Sequence, residues 1–195
     1  DLIINEFSTK GTATNPDRVE IRVRNDGNLA GVTVYHGMPE TFDSEFICPS
    51  IEVSAGQYVV ITYQQEPETD DPLTLYGGET GLGSNNGVIA LCERPEGAII
   101  DAVLYSNRTS SSDETYGGFG TRKVQLWAEA LERSGQWSPI PVTPETGIDS
   151  TKHTATRSYC RTEGCTDTDS SADWHIVPTR QATFGWENVT EQYVP

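Results

Sequence analysis

The sequence predicts an all-β fold, an antiparallel sandwich or barrel with one short helix in an inserted segment. Three observations point there. Apolar residues alternate over many short runs, and Gly, Pro and Asn turn signals separate those runs in a chain holding 18 Gly and 11 Pro. Only one stretch spaces its apolar residues as a helix does. Strands and helices do not alternate along the chain, which argues against a doubly wound parallel sheet.

Leu2–Phe7 opens the series of strands. Arg18–Asn25 sets Val19, Ile21 and Val23 against Arg18, Glu20, Arg22 and Arg24, the pattern of a half-buried strand with a charged outer face. Asn25-Asp26-Gly27 then turns the chain. Val32–Tyr35, Glu52–Val53, Gln57–Tyr63 and Leu73–Tyr76 follow as strands. Gly87–Tyr105 reads as a hairpin, two alternating runs around the break Glu93-Arg94-Pro95-Glu96-Gly97. Asp101 interrupts its second run with parity opposite to Ile100 and Ala102. It is expected at the sheet edge or accepting backbone hydrogen bonds, a structural carboxylate rather than a catalytic one. His153–Cys160 supplies one more strand.

Lys123–Arg133 is the helix. Val124, Leu126, Trp127, Ala130 and Leu131 recur at helical spacing, and Gly135 stops the run. The following stretch, Trp137–Thr151, has Pro139, Pro141 and Pro144 but few apolar residues, so it reads as an ordered surface excursion. No internal repeat is present. The length of 195 residues suits a single domain, 1–195, with a helix- and Pro-rich insertion at about 107–152.

Charge excludes one class of partner. Asp+Glu number 29 against 13 Lys+Arg, a formal charge of -16, and such a surface repels phosphate backbones. Nucleic acid is therefore not an expected partner. Lys10, Lys123 and Lys152 are the only lysines, a bias that suits either high salt or plain solubility. No apolar run is long enough to span a bilayer. No basic–apolar–small leader opens the sequence, so an export signal is expected to have been removed.

The four cysteines, Cys48, Cys92, Cys160 and Cys165, form an even set that favours disulfides. Cys160 and Cys165 lack zinc-knuckle or redox spacing, but the four residues between them, one a glycine, suit a bridge across a tight turn. That pairing would leave Cys48 with Cys92. Four cysteines allow three pairings, and buried free thiols are the alternative.

Candidate chemistry is sparse, and no catalytic residue is expected. His36, His153 and His175 are far apart, and neither a G-x-S-x-G nor an H-E-x-x-H motif occurs. The glycine-rich run Tyr76–Gly87 lacks the Lys-Ser/Thr ending of a phosphate loop and reads as a loop between strands. Asp167, Asp169 and Asp173 are the metal candidates, with calcium the one cofactor considered, because carboxylates at these spacings in a turn can share a hard cation. The stretch lacks the Gly and terminal Glu of a full calcium loop, and Asp and Ser also fill turns for local hydrogen bonding. Glu66–Asp71 is a second, weaker acidic loop. Trp127, Trp137, Trp174 and Trp186 divide between core, sheet-end caps and binding platforms.

The ordered motifs resemble the lamin tail domain family. Leu2-Ile-Ile-Asn-Glu-Phe7 matches its opening "INE" strand, and Arg18–Ile21 with Asn25, Leu29 and Gly31 its next step. Ala55–Ile61 is similar to its "aGxyvvi" strand, and Gly87–Leu91 with Gly97–Tyr105 to its "iD-x-v-x-Y" hairpin. Thr156–Arg161, Asp173-Trp174, Pro178-Thr179 and Thr183–Asn188 resemble its close. The inserted segment, Phe184 where the family often has Pro, and the four cysteines depart from the pattern. The resemblance implies an immunoglobulin-like β-sandwich of the prokaryotic secreted type. It also implies a non-catalytic, monomeric binding or scaffolding module, secreted or on the cell surface, for a protein or carbohydrate ligand. A secreted hydrolase, or a hydrolase-associated domain with an atypical site, is the rival.

Overall fold

In the computed structural model, residues 1–110, 112, 114–162, 164 and 167–195 are described. Their strands are β1 (Leu2–Ser8), β2 (Arg18–Val23), β3 (Gly27–Asn28), β4 (Thr33–Met38), β5 (Thr41–Ile47), β6 (Glu52–Val53) and β7 (Tyr58–Tyr63). β8 (Thr74–Gly78), β9 (Asn86–Cys92), β10 (Ile99–Ser106), β11 (Ile148–Asp149), β12 (Tyr159–Arg161) and β13 (Trp174–Ile176) complete the set, with one helix, α1 (Arg122–Ser134). A six-stranded sheet, β13-β12-β1-β2-β7-β8, lies against a five-stranded sheet, β11-β10-β9-β4-β5. Phe7 joins the layers, its ring 5.6 Å from that of Tyr105 on β10 and 4.7 Å from that of Tyr159. The all-β sandwich with one helix in its insertion is the class the alternation predicts.

Two bulges set which side chains face inward. On β1, Ile4 pairs with Ile21 and Glu6 with Glu20, so Asn5 is the extra residue. The shift puts both Ile4 and Phe7 into the core and turns Glu6 to the opposite face. On β10, Ile99 pairs with Cys92 and Asp101 with Leu91, which leaves Ile100 as the extra residue. Beyond the bulge Asp101 shares parity with Val103 and Tyr105, the face that meets β1. The edge position expected for Asp101 is thus corrected: it is buried between the sheets.

Helix α1 packs on β4, β5, β9 and β10 of the five-stranded sheet. Thr121 caps its first turn by accepting from Val124 N–H, and Gly135 ends it in the left-handed region at φ 74°. Val124, Trp127, Ala128, Ala130 and Leu131 are buried, whereas Leu126 sits at the exposed rim. Lys123 ties the helix to β5 through Asp43 at 2.6 Å. The Pro-rich excursion is anchored too, by Val142 N–H to Glu132 and the Trp137 indole to Thr146 O.

The charged outer face expected of β2 is only partly solvated. Residues 183–188 cross it as a strap, and Glu6 and Glu20 lie buried beneath. The late strand is shorter than expected, because only Tyr159–Arg161 pair. His153 instead stacks on Tyr159 with ring centroids 4.4 Å apart.

Disulfide expectations need correction. Cys48 and Cys92 are both buried free thiols. Cys92 pairs with Thr33 of β4, while Cys48 follows β5 on the other side of β4 and hydrogen-bonds to Val32. With one strand between them they stand about 10 Å apart, beyond the roughly 7 Å limit for a bridge. The expected Cys160–Cys165 bridge falls on Cys165, outside the described residues. Burial pushes the Cys48 thiol up to about 12, and burial, aided by Glu40, pushes Cys92 up to about 11. Both should resist thiol reagents in the native protein at pH 8 and react once it is denatured without reductant. Zero titratable thiols in the denatured protein would contradict this.

Candidate functional site

The densest polar constellation surrounds Arg161, a fully buried cation at the end of β12. The pairing of β12 with β1 ends at Cys160, and two side chains take over the backbone partners beyond it. Ile4 N–H donates to Asp101 Oδ2 at 2.7 Å, and Ile4 C=O accepts from Arg161 Nε at 2.7 Å. Arg161 Nη2 closes the ring on Asp101 Oδ2 at 2.8 Å. Nη1 reaches Asp173 at 3.2 Å and Asp167 at 3.3 Å, and the Trp174 indole packs on the guanidinium with its centroid 4.7 Å away. Each nitrogen of the fork has a task that a lysine ammonium could not reproduce.

The predicted metal trio separates. Asp173 turns inward, accepting from Thr168 N–H and Oγ1 at 2.7 Å each, and is spent on the turn and on Arg161. Asp101 takes its place: Asp101, Asp167 and Asp169 offer oxygens all within 4.8 Å of one another. Asp169 occupies the left-handed region at φ 51°. Burial raises Asp101 to about 6 against the lowering by Arg161, and burial with Asp167 raises Asp169. The sequence signal for this network is a charge standing inside an apolar run at Asp101; Arg161, followed by Thr162 and Glu163, carries no such mark, and the spacing gives no sign that they meet.

A second polar cluster lies under the strap. Glu6 accepts from Ser158 Oγ, from Thr183 N–H at 3.0 Å and from Thr183 Oγ1 at 2.7 Å. Glu20, its cross-strand partner, accepts from Asn5 Nδ2 at 2.6 Å and from Gly185 N–H. Asn188 Nδ2 donates to Arg161 C=O at 2.9 Å, joining the two clusters. Burial pushes Glu20 up to about 8, with Asn5 and Gly185 holding it down and Glu6 adding to the rise.

The histidines serve packing. His36 Nε2 accepts from Gly83 N–H at 3.1 Å, and its ring meets Trp127 edge-on. Burial lowers it to about 4 and His153 to about 3. Cys160 Sγ lies 3.3 Å from His175 Nε2, a contact set by their cross-strand pairing, and Val189 C=O closes over both. The glycine-rich run is the expected inter-strand loop, with Gly83 C=O accepting from Tyr105 Oη at 2.5 Å. In the acidic loop, Asp71 caps its own turn through Leu73 N–H and Thr74 Oγ1.

An open groove of about 640 Å³ runs along the strap, lined by Arg18, Thr62, Glu66, Glu68, Phe184 and Trp186 among others. Trp127, Trp137 and Trp174 are buried, whereas Trp186 is 77% exposed. Phe184 lies over the Arg18 guanidinium at 5.2 Å.

These features define an all-β sandwich that buries its ionisable groups in structural networks and carries an aromatic groove on its surface. At the level of sequence, the chain belongs to a family described as "protein second domain", which it matches over residues 1–73 and 76–176. No curated protein matches it. Among the described residues, no helix is long and apolar enough to cross a membrane.

Two outcomes test the networks. Arg161→Met should lose about 3–5 kcal/mol in urea unfolding, since it strands buried carboxylates, and Arg161→Lys should recover only part of that. A lysine variant as stable as the parent would contradict the fork's role. For Glu20, whose folded-state value lies above its ordinary 4.5, the contribution to stability is complete below about pH 4.5. It fades as pH rises through about 8. Glu20→Gln should therefore remove a falling slope of up to about 1.4 kcal/mol per pH unit between those limits. Parallel stability curves for parent and variant would refute it.

Proposed function

We propose that this chain is a non-catalytic binding or scaffolding module of lamin-tail type, working outside the cell. Its ligand surface is the groove beside the strap. The observation that carries the reading is Trp186, held 77% exposed on a groove that also presents Phe184 and several polar side chains. An indole face offers a flat apolar platform, and Thr62, Thr74, Glu66, Glu68 and Asp71 around it offer acceptors and hydroxyls. That combination suits a neutral carbohydrate, whose ring stacks on the indole while its hydroxyls donate to the carboxylates. Anionic ligands meet a lip of Glu66, Glu68 and Asp71. Every histidine is buried away from this groove, so no imidazole lines it.

A rival hydrolase of the cysteine type would have to use Cys160 and His175, the one thiol–imidazole contact among the described residues. Both are enclosed by the chain at Val189, with no approach for a substrate.

Neutral oligosaccharides should blue-shift the emission of Trp186, and Trp186→Ala should abolish binding without moving the melting temperature. Binding of peptides alone would change the ligand class. Esterase or peptidase activity lost on Cys160→Ala would overturn the module reading in favour of the rival.

A further inference from the structure

The carboxylates around Arg161 outnumber the positive charge available to them. Asp101, Asp167 and Asp173 all lie within hydrogen-bonding range of that one guanidinium, and Asp169 stands beside Asp167. Asp101 Oδ2 is fully committed, to Ile4 N–H and to Arg161 Nη2. Its other oxygen, Oδ1, is buried and has no hydrogen-bond partner among the described residues. A carboxylate oxygen in that state is costly unless a proton or a cation satisfies it. Asp167 and Asp169 place oxygens within 4.8 Å of the Asp101 carboxylate, from a turn that opens to solvent.

We propose that Asp101, Asp167 and Asp169 form a binding site for a hard divalent cation, calcium above all. The donors are all oxygen, with neither thiolate nor imidazole among them, which selects against zinc and copper. Calcium accepts irregular coordination of six to eight oxygens and tolerates waters in the remaining positions, here supplied from the open side of the turn. Arg161 shares two of these carboxylates, through Asp101 Oδ2 and Asp167 Oδ1, and leaves Asp101 Oδ1 for the cation. A bound ion would pin the 167–169 turn to β10 and so tie the end of one sheet to the loop that leaves the other. The proposal stands apart from the ligand groove, which shares none of its residues.

Asp169→Asn is the decisive variant, since Asp169 makes no ion pair with Arg161 among the described contacts and its loss leaves the buried network intact. After chelator treatment, calcium titrated into the parent protein should bind with 1:1 stoichiometry by calorimetry, in the range of about 10⁻⁴–10⁻³ M typical of extracellular modules. It should also raise the melting temperature saturably, where sodium chloride of equal ionic strength does not. Terbium should luminesce on excitation of Trp174, which packs on Arg161 beside the site. In Asp169→Asn the calcium-free melting temperature should match the parent's, while calcium affinity falls at least about tenfold as ligand charge is lost. Equal calcium affinity in parent and variant would overturn the proposal, as would a parent response no larger than that to matched sodium chloride.

Discussion

The structure depends on one buried ion pair that does the work of a missing strand. Where β12 ends, Ile4 of β1 still carries a donor and an acceptor facing inward, and a buried unpaired peptide group is costly. Asp101 takes the donor, Arg161 takes the acceptor, and the two close on each other at 2.8 Å. A pair of this kind is weak proof of net stabilisation, because desolvating both charges offsets most of their attraction. Its effect is to specify. Arg161 fits only if β12 stops where it does, if β10 bulges at Ile100 to present Asp101 inward, and if the 167–173 turn folds back to deliver Asp173.

The acid excess also takes on a different meaning. Among the described residues five acids, Glu6, Asp17, Glu20, Asp101 and Asp173, are buried, so composition overstates the charge that the surface carries. Burial pushes Glu20 to about 8 and Asp17 and Asp101 to about 6, so part of the formal charge is also titrated away near neutral pH. The remaining acids still disfavour phosphate backbones, yet a simple coat of solubilising charge does not describe this chain. Some of its carboxylates are internal fasteners.

How much of this the sequence discloses follows from what is local. Period-two alternation reveals β1, β2, β7, β9 and β10, and helical spacing reveals α1, because each pattern is written within one element. β5 escapes because it is a mostly exposed edge strand, where Asp43, Ser44 and Glu45 interrupt any apolar rhythm. β3, β11 and β13 span two or three residues and carry no period at all. Parity arguments fail wherever a bulge intervenes, as at Asn5 and Ile100, and that is why Asp101 points inward. The turn at Asp167–Asp173 is legible as acidic. Its partner Asp101, more than sixty residues upstream, is not, since contacts across that separation leave no local mark.

The strap shows how the buried carboxylates reach the surface. Between Thr183 and Trp186 the chain makes a tight turn, with Trp186 N–H on Thr183 C=O at 2.8 Å and Gly185 in the left-handed region at φ 87°. Only a residue without Cβ adopts that conformation cheaply. Thr183 and Gly185 aim their N–H groups inward, at Glu6 and Glu20, so the intervening Phe184 and the following Trp186 line the groove. Glu6 and Glu20 thus fix the aromatic pair by holding the backbone on either side of it, and ordering that segment in advance lowers the entropy a ligand would otherwise have to remove. The carboxylates that resist ionisation and the indole that faces solvent are two sides of one turn, so the chemistry of the interior determines what the exterior presents.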